Sequence, residues 1–204
     1  MEFLPIILFS FFCGALPFSV WLGKLIVNRD IRVYGDGNPG ATNVFRAGNN
    51  YVGLLALLLD ISKSAAPVGW FYHNLENRGV AMFLIAIAPI LGHAYSPFLK
   101  FRGGKAIAAA FGTWIGLTLW KASLPGVIAA IVGIVILTPP GWSVMLALGV
   151  ILIAVLGWLP DSLLISVWSA QVVILGWKHK EDLCQIPKIR PWAKQMFRQD
   201  IDYD

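Results

Sequence analysis

The chain has 204 residues, of which 57% are hydrophobic and only 13% are charged, and its mean hydropathy is +0.70. This composition excludes an ordinary soluble domain and is typical of a polytopic membrane protein. The net charge of +5 has meaning only once the basic residues are assigned to the two sides of the membrane, and two cysteines are too few for a disulfide framework.

Seven apolar segments, separated by short polar ones, run along the chain. A helix needs about 20 apolar residues to cross the hydrocarbon core of a bilayer, and several of these segments are shorter. Only one acidic residue, Glu2, precedes the first segment, so we interpret it as a retained span and not as a signal peptide. These features predict an all-α polytopic membrane protein with seven transmembrane helices in a single domain, residues 1–204. The predicted spans are 3–26, 51–72, 80–98, 106–120, 124–138, 142–159 and 162–177, and a polar tail, 178–204, follows them.

Basic residues are distributed unevenly between the polar segments. If the N-terminus is outside, 13 of the 16 lysines and arginines lie in or beside the segments that face the cytoplasm, which are the loops 28–50 and 98–105 and the tail 178–204. Because Lys and Arg collect on the cytoplasmic side, this bias predicts an outside N-terminus and a cytoplasmic C-terminus. Arg78 and Lys121 are then outside. Three polar segments would thus share one face of the membrane.

The first loop, residues 35–46, has the sequence GDGNPGATNVFR and is the longest glycine-rich polar run between two apolar ones. Its glycines allow a positive φ and a close approach of the backbone to a ligand, and its polar side chains include both donors and acceptors. On these features alone, a binding site and a simple connector between helices are equally good interpretations. The polar side chains of the loop are those of Asp36, Asn38, Thr42, Asn43 and Arg46.

The second loop, residues 99–105, ends in Arg102, Gly103, Gly104 and Lys105 directly before an apolar segment. Backbone N–H groups exposed by two glycines at a helix N-terminus, together with two basic side chains, suit an anion and above all a phosphate. The alternative is a basic anchor at the membrane edge, which needs no glycine. The spacing does not match the GxxxxGK[ST] loop, so nucleotide hydrolysis is not indicated.

The third segment, residues 178–182, has the sequence KHKED and follows the last predicted span. A histidine beside carboxylates can act as an acid or a base near neutral pH, and the lysines that flank His179 could hold an anion. Taken alone, such a run is more often a solvated stretch at the membrane interface.

Ionisable residues also occur inside the apolar segments. Asp60 and Lys63 are three positions apart and share one helix face, so they form either a structural ion pair or part of a functional site at membrane depth. His93 lies at the predicted cytoplasmic end of the third span, where we expect a structural histidine held by hydrogen bonds.

The polar segments resemble those of the PlsY family, the membrane-bound bacterial glycerol-3-phosphate acyltransferases that use acyl phosphate as donor. The resemblance rests on GDGNPGATNVFRAG at 35–48, on GHAYSPFLKFRGGKAIA at 92–108 and, more weakly, on HKED at 179–182. It implies transfer of a fatty acyl group from acyl phosphate to the 1-hydroxyl of sn-glycerol 3-phosphate, giving lysophosphatidate and phosphate. It also implies a bacterial inner-membrane protein whose active site faces the cytoplasm and which needs no metal, cofactor, acyl-carrier protein or nucleic acid.

The family pattern maps onto this chain residue by residue, with two departures. The family has serine where this chain has Asp36, and asparagine where it has Asp182. Both departures place a carboxylate near anionic substrates, which costs binding energy unless a nearby cation offsets it. The positions that match the pattern are Asn38, Thr42, Asn43, Arg46, Lys100, Gly103, Gly104, Lys105, His179 and Glu181.

The chemistry of acyl transfer suggests roles for these groups. Acyl phosphate carries a good leaving group, so the protein mainly has to align two substrates and offset the repulsion between their phosphates. We expect Lys105, with the amides of Gly103 and Gly104, to bind the donor phosphate. The hydroxyl proton would go to His179, to Asp36 or to the leaving phosphate, and the acyl chain would lie in an apolar groove open to the bilayer. The other expected substrate-binding residues are Asn38, Thr42, Asn43, Arg46, Lys100, Arg102, Glu181 and Asp182.

Other interpretations are open at the level of sequence. The chain could keep the acyl phosphate donor and use a different polar acceptor, as the two added carboxylates suggest. It could also be a transporter of a small anion or a non-catalytic relative. A transporter is expected to carry polar groups at midplane depth in several spans, often in repeated halves, whereas here the polar groups lie at one face and the sequence shows no internal repeat.

Overall fold

The computed structural model of the chain describes residues 2–75 and 79–194. The predicted outer loop around Asn77 and Arg78, and residues 195–204 of the predicted tail, lie outside the described residues. The α-helices are α1 (Leu4–Ala15), α2 (Phe18–Leu25), α3 (Ala41–Arg46), α4 (Asn50–Asn74), α5 (Val80–Ala94), α6 (Ile107–Thr118), α7 (Trp120–Ile136), α8 (Gly141–Trp158), α9 (Ser162–Lys178) and α10 (Lys180–Leu183), and two 3-10 helices lie at Ile31–Val33 and Pro97–Leu99.

Every predicted span corresponds to a helical segment, although the ends differ. The first span is divided into α1 and α2. The helix of the fifth span, α7, begins at Trp120, four residues before the predicted start of that span. Among the described residues, four helical segments are long and apolar enough to cross a membrane, namely Leu4–Leu25, α4, Val80–Leu99 and α8. The apolar helices α6, α7 and α9 are shorter, with 12, 17 and 17 residues, so the count of seven spans stays a prediction.

A small antiparallel ladder, absent from the all-α prediction, joins β1 (Leu137–Thr138) to β2 (Lys188–Ile189). Directly after β2, the N–H of Arg190 donates to the carbonyl of Ile136 at 2.8 Å. These bonds hold the start of the tail against the connection between α7 and α8.

The break between α1 and α2 leaves backbone carbonyls that other elements satisfy. The chain leaves helical geometry at Leu16 and Pro17, and proline supplies no N–H. The Ser96 hydroxyl donates to the carbonyl of Ala15 at 2.6 Å, and the Lys63 ammonium donates to the carbonyl of Leu16 at 2.7 Å. The break thereby ties α1 to α4 and to the segment after α5.

Asp60 and Lys63 form a buried ion pair, in which Nζ of Lys63 lies 2.8 Å from Oδ1 of Asp60. The second carboxylate oxygen of Asp60 accepts a hydrogen bond from the hydroxyl of Ser19 on α2. Asp60 is thus bound to α2, and Lys63 to the break between α1 and α2, in addition to each other. Of the two interpretations of this pair, these contacts support the structural one.

Small residues allow the helices to pack closely. A Cβ on Gly116 of α6 would lie 2.7 Å from the backbone nitrogen of Gly69 of α4, and a Cβ on Gly14 of α1 would overlap the backbone of α5. Such contacts are typical of helix pairs in membranes, where close backbone approach replaces the hydrophobic driving force. Farther inside, the buried indole of Trp114 donates to the side-chain carbonyl of Gln171 at 2.8 Å and joins α6 to α9.

Candidate active site

The three polar segments form one cavity of about 320 Å³ at one end of the helix bundle. The segments that the sequence assigns to one face of the membrane do come together here. Four basic and two acidic side chains line the cavity, which leaves a surplus of two positive charges. The lining residues are Asp36, Gly37, Asn38, Pro39, Arg102, Gly103, Lys105, Trp177, Lys178, Lys180 and Glu181.

The first loop is built around two glycines and the buried amide of Asn43. Gly35 and Gly37 have φ of 57° and 70°, values that other residues adopt only with strain. The side-chain amide of Asn43 donates to the carbonyl of Asn38 at 2.9 Å and to a carboxylate oxygen of Asp36 at 3.3 Å. Asn43 therefore fixes the cavity-lining part of the loop to α3.

The two glycines of the second loop are required by packing. A Cβ on Gly103 would overlap the carbonyl of His93, and a Cβ on Gly104 would overlap the imidazole of the same histidine. The N–H of Gly104 donates to the carbonyl of His93 at 3.0 Å. The next N–H, that of Lys105, donates to the side-chain oxygen of Asn38 at 3.0 Å and joins the two loops. These bonds contradict the expectation that the Gly104 amide binds the donor phosphate, because that amide already has an acceptor.

Lys105 lies between two carboxylates. Its ammonium is 3.0 Å from an oxygen of Asp36 and 3.7 Å from an oxygen of Asp182. The guanidinium of Arg46 is 3.7 Å from the other oxygen of Asp36. Burial opposes the ionisation of Asp36, but the hydrogen bond and charge of Lys105, with two further donors of the loop, outweigh it and lower the pKa of this carboxyl. Asp36 is therefore ionised at neutral pH.

His179 is buried behind the cavity, with 2% of the residue exposed, and it is not among the described residues that line the cavity. Its Nδ1 lies 3.3 Å from an oxygen of Asp182, and the same oxygen accepts the N–H of Gly141 at the start of α8, at 3.0 Å. Burial lowers the pKa of His179 below its ordinary 6.5, although the hydrogen bond with Asp182 opposes this shift. The imidazole is therefore neutral at physiological pH.

The sequence predicts Lys178 only as a lysine beside His179 that could hold an anion, but in the structure it also connects separate elements. Its ammonium donates to the carbonyls of Ala94 at 3.1 Å and Gly103 at 3.4 Å, and it lies 5.1 Å from the centre of the Tyr95 ring. It therefore connects α9 to the end of α5 and to the second loop while lining the cavity. A basic residue directly after an apolar span is its only sequence signal, and many lysines at membrane edges share that signal.

Two predicted binding residues lie apart from the cavity. Thr42 and Lys100 are exposed, and the described residues that line the cavity do not include them. Asn43, Arg46 and Asp182 do not line the cavity either, but each of them contacts Asp36 or Lys105. The predicted site residues that line the cavity are Asp36, Asn38, Arg102, Gly103, Lys105 and Glu181.

A second cavity, of about 640 Å³ and almost entirely apolar, lies between α1, α2 and α4. Phe9 and Trp70 line it and are 56% and 67% exposed, so it is a groove on the outer face of the bundle. Leu16, at the break between α1 and α2, also lines it. Because Ser96 is bound to Ala15 beside that break, the groove begins close to the segment that leads into the second loop.

Comparisons with known proteins match most of the chain. The family model described as glycerol-3-phosphate acyltransferase matches residues 4–188. A glycerol-3-phosphate acyltransferase of Maridesulfovibrio salexigens is 30% identical over 186 residues, covering 89% of this chain and 92% of the relative. Glycerol-3-phosphate acyltransferase 1 of Thermotoga maritima is 44% identical over 122 residues. That alignment covers 58% of this chain and 59% of the relative, so it spans about three fifths of that relative's length.

The fold is also similar to that of solved structures. The crystal structure of PlsY, an integral membrane glycerol 3-phosphate acyltransferase, in its glycerol 3-phosphate form has a TM-score of 0.81 and 22% identity, with 90% of each chain covered. The lysophosphatidic acid form has a TM-score of 0.80 and 21% identity. At these identities the similarity shows the fold alone.

Proposed function

Since this chain belongs to the glycerol-3-phosphate acyltransferase family, we propose that it transfers a fatty acyl group from acyl phosphate to the 1-hydroxyl of sn-glycerol 3-phosphate. The observation that carries the proposal is the cavity between three polar segments, whose surplus of two positive charges suits a phosphate dianion. The hydroxyl oxygen bonds to the acyl carbon while the bond from that carbon to the phosphate oxygen breaks. The products are lysophosphatidate and inorganic phosphate.

Lys105 is the group best placed to stabilise the leaving phosphate. It lines the cavity, and the bond from its backbone N–H to Asn38 fixes it where the first and second loops meet. A charge fixed in advance stabilises the negative charge that develops on the phosphate as the anhydride bond breaks. Lys178 and Lys180, which line the cavity from the third polar segment, supply positive charge for the phosphate of the acceptor.

The leaving phosphate is our choice for the group that takes the hydroxyl proton. His179 is buried behind the cavity, which argues against direct contact with the acceptor. The lowered pKa of Asp36 makes its carboxylate a weak base. The phosphate oxygens, in contrast, are at the reaction centre. His179 then acts as a positioning residue that holds Asp182 against the start of α8.

The acyl chain is expected in the apolar groove between α1, α2 and α4. Its volume of about 640 Å³ lies within the range of sites that bind small organic ligands, and its exposed aromatic lining would be continuous with the lipid tails of a bilayer. Its proximity to Ser96 and the second loop would bring the reactive end of the chain towards the polar cavity.

We further propose that the cavity faces the cytoplasm from the inner membrane of a bacterium. The basic residues of the two loops and the third segment lie at the cavity end of the bundle, and such residues collect on the cytoplasmic side. The contact of β1 with β2 supports the same arrangement, because it places the connection between α7 and α8 at that end, as seven crossings require.

The test is the release of inorganic phosphate from palmitoyl phosphate by the purified protein in detergent. We expect release that depends on glycerol 3-phosphate and that falls about 100-fold or more in Lys105→Ala. Lys24→Ala, which removes an exposed lysine at the end of α2, is the matched control and should keep full activity. Release without dependence on glycerol 3-phosphate, or unchanged release in Lys105→Ala, would contradict the proposal.

A second candidate function keeps the donor and changes the acceptor. The observation that favours it is the position of Asp36 and Asp182, two carboxylates that already contact Lys105. A panel of polyols and phosphate esters in the same assay separates the two functions. Phosphate release with one of these acceptors, and none with glycerol 3-phosphate, would establish the second candidate.

A further inference from the structure

We propose that Asp36 is a specificity-determining residue whose carboxylate competes with phosphate for Lys105 and Arg46. In the protein without substrate, this carboxylate occupies both cations, and a phosphate group binds by displacing it. The inference rests on the proposed function, because it requires that the cavity accept a phosphate group.

The geometry of the carboxylate supports this competition. One oxygen of Asp36 lies 3.0 Å from the ammonium of Lys105, and the other lies 3.7 Å from the guanidinium of Arg46. Lysine and arginine are also the usual partners of phosphate oxygens. The carboxylate of Asp36 thus binds the ammonium of Lys105 and lies close to the guanidinium of Arg46, the two cations that would attract a phosphate group at this position.

The two carboxylates that contact the lysine differ in how firmly they are held. Asp182 accepts the N–H of Gly141 at 3.0 Å, and its side chain is only 17% exposed. The side chain of Asp36 is 44% exposed, and its bonds from the amides of Asn38 and Asn43 are both 3.3 Å, which is long for N–H···O bonds. Asp36 is therefore the carboxylate that can move away when an anion arrives.

The consequence is a site with a reduced affinity for anions. A phosphate group that reaches Lys105 meets a like charge on Asp36, and the repulsion raises its dissociation rate as well as its dissociation constant. The effect applies to the phosphate product as much as to the substrates, so it favours product release. An uncharged acceptor, such as glycerol, does not experience it.

The experiment is a titration of the protein in detergent with inorganic phosphate, in which isothermal titration calorimetry measures the dissociation constant. Asp36→Asn removes the competing charge and should bind phosphate about tenfold more tightly than the unchanged protein. Asp30→Asn is the matched control, since the side chain of Asp30 is 35% exposed and pairs with Arg32 at 2.7 Å on the same connection. It should bind phosphate as the unchanged protein does. Equal affinities of Asp36→Asn and the unchanged protein would overturn the proposal.

Two further variants test whether a change in phosphate affinity comes from the charge of Asp36 and acts through Lys105. Asp36→Ser provides a second measurement if thermal unfolding shows that the asparagine variant folds poorly. In the double variant Asp36→Asn/Lys105→Ala the gain in affinity should disappear, and a gain that persists there would overturn the role of Lys105 in the competition. Acyl transfer is measured separately, so a failure of the proposed function appears as a lack of transfer with every acceptor, while the phosphate titration still decides the role of Asp36.

Discussion

Replacing Lys63 by methionine removes the ammonium that holds the break between α1 and α2. The side chains of Lys63 and Asp60 are each 2% exposed, and the Lys63 ammonium lies 2.8 Å from Asp60 and 2.7 Å from the carbonyl of Leu16. The variant therefore leaves a carboxylate and a carbonyl in the bundle without this partner. Removing one member of a buried ion pair costs about 3–5 kcal/mol of folding free energy, which lowers Tm by about 10 °C in a chain of this length.

The assay is thermal unfolding in detergent, monitored by tryptophan fluorescence. Lys24→Met, a substitution of an exposed lysine, is the control. The control should unfold within about 1 °C of the unchanged protein. The double variant Asp60→Asn/Lys63→Met no longer contains an unpaired charge and should recover about half of the lost stability. Acyl transfer per folded molecule should change little. An unchanged Tm in Lys63→Met, combined with lost transfer, would refute the structural role and make the pair a functional one.

Three further predictions follow from the groove and from the surroundings of the two histidines. Ala66→Trp adds an indole to the exposed wall of the apolar groove, so transfer from palmitoyl phosphate should fall about tenfold relative to transfer from octanoyl phosphate, which buries fewer methylenes. Gly104→Ala should cost about 1–3 kcal/mol of stability, measured by thermal unfolding, because its methyl group overlaps the His93 ring. Gly149→Ala, which has open space around it, should cost nothing. Because the pKa of His179 is lowered in the folded protein, the unfolded chain binds the proton first, so stability should be full above pH 6.5 and fall as the pH drops below it. Thermal unfolding of His179→Asn should show a smaller fall over the same pH range.

The helical framework could be located from sequence because hydropathy marks each apolar segment. The break at Leu16 and Pro17 could not, since the apolar composition continues across it and a proline alone does not distinguish a kink from a complete break. What stabilises the break is tertiary: Ser96 and Lys63 bind its carbonyls from two other elements. Asp60 and Lys63 therefore look the same in sequence whether they serve catalysis or architecture.

The polar segments that form the site were also predictable, because each concentrates donors, acceptors or charges between apolar runs. The roles of individual residues were less so. The pair Gly103 and Gly104 has the composition of an anion-binding turn, yet both glycines are required by contact with His93. His179 is of a residue type that often acts as a catalytic base, yet it is buried behind the cavity and its Nδ1 contacts Asp182. In both cases the same residue type satisfies a packing requirement, and only the surroundings distinguish the two roles.

The two added carboxylates illustrate why a departure from a family pattern has to be judged by its contacts. One oxygen of Asp182 accepts the N–H of Gly141 and faces His179. An asparagine oxygen could make the same two contacts. The added charge at this position therefore changes these contacts very little. Asp36 is different, because it is the carboxylate nearest to Lys105, at 3.0 Å against 3.7 Å for Asp182, and it also lies 3.7 Å from Arg46. The cavity nevertheless keeps a surplus of two positive charges with Asp36 in place. The charge of a phosphate dianion can therefore still be neutralised. The effect of Asp36 is on the dissociation constant and the dissociation rate of the bound anion.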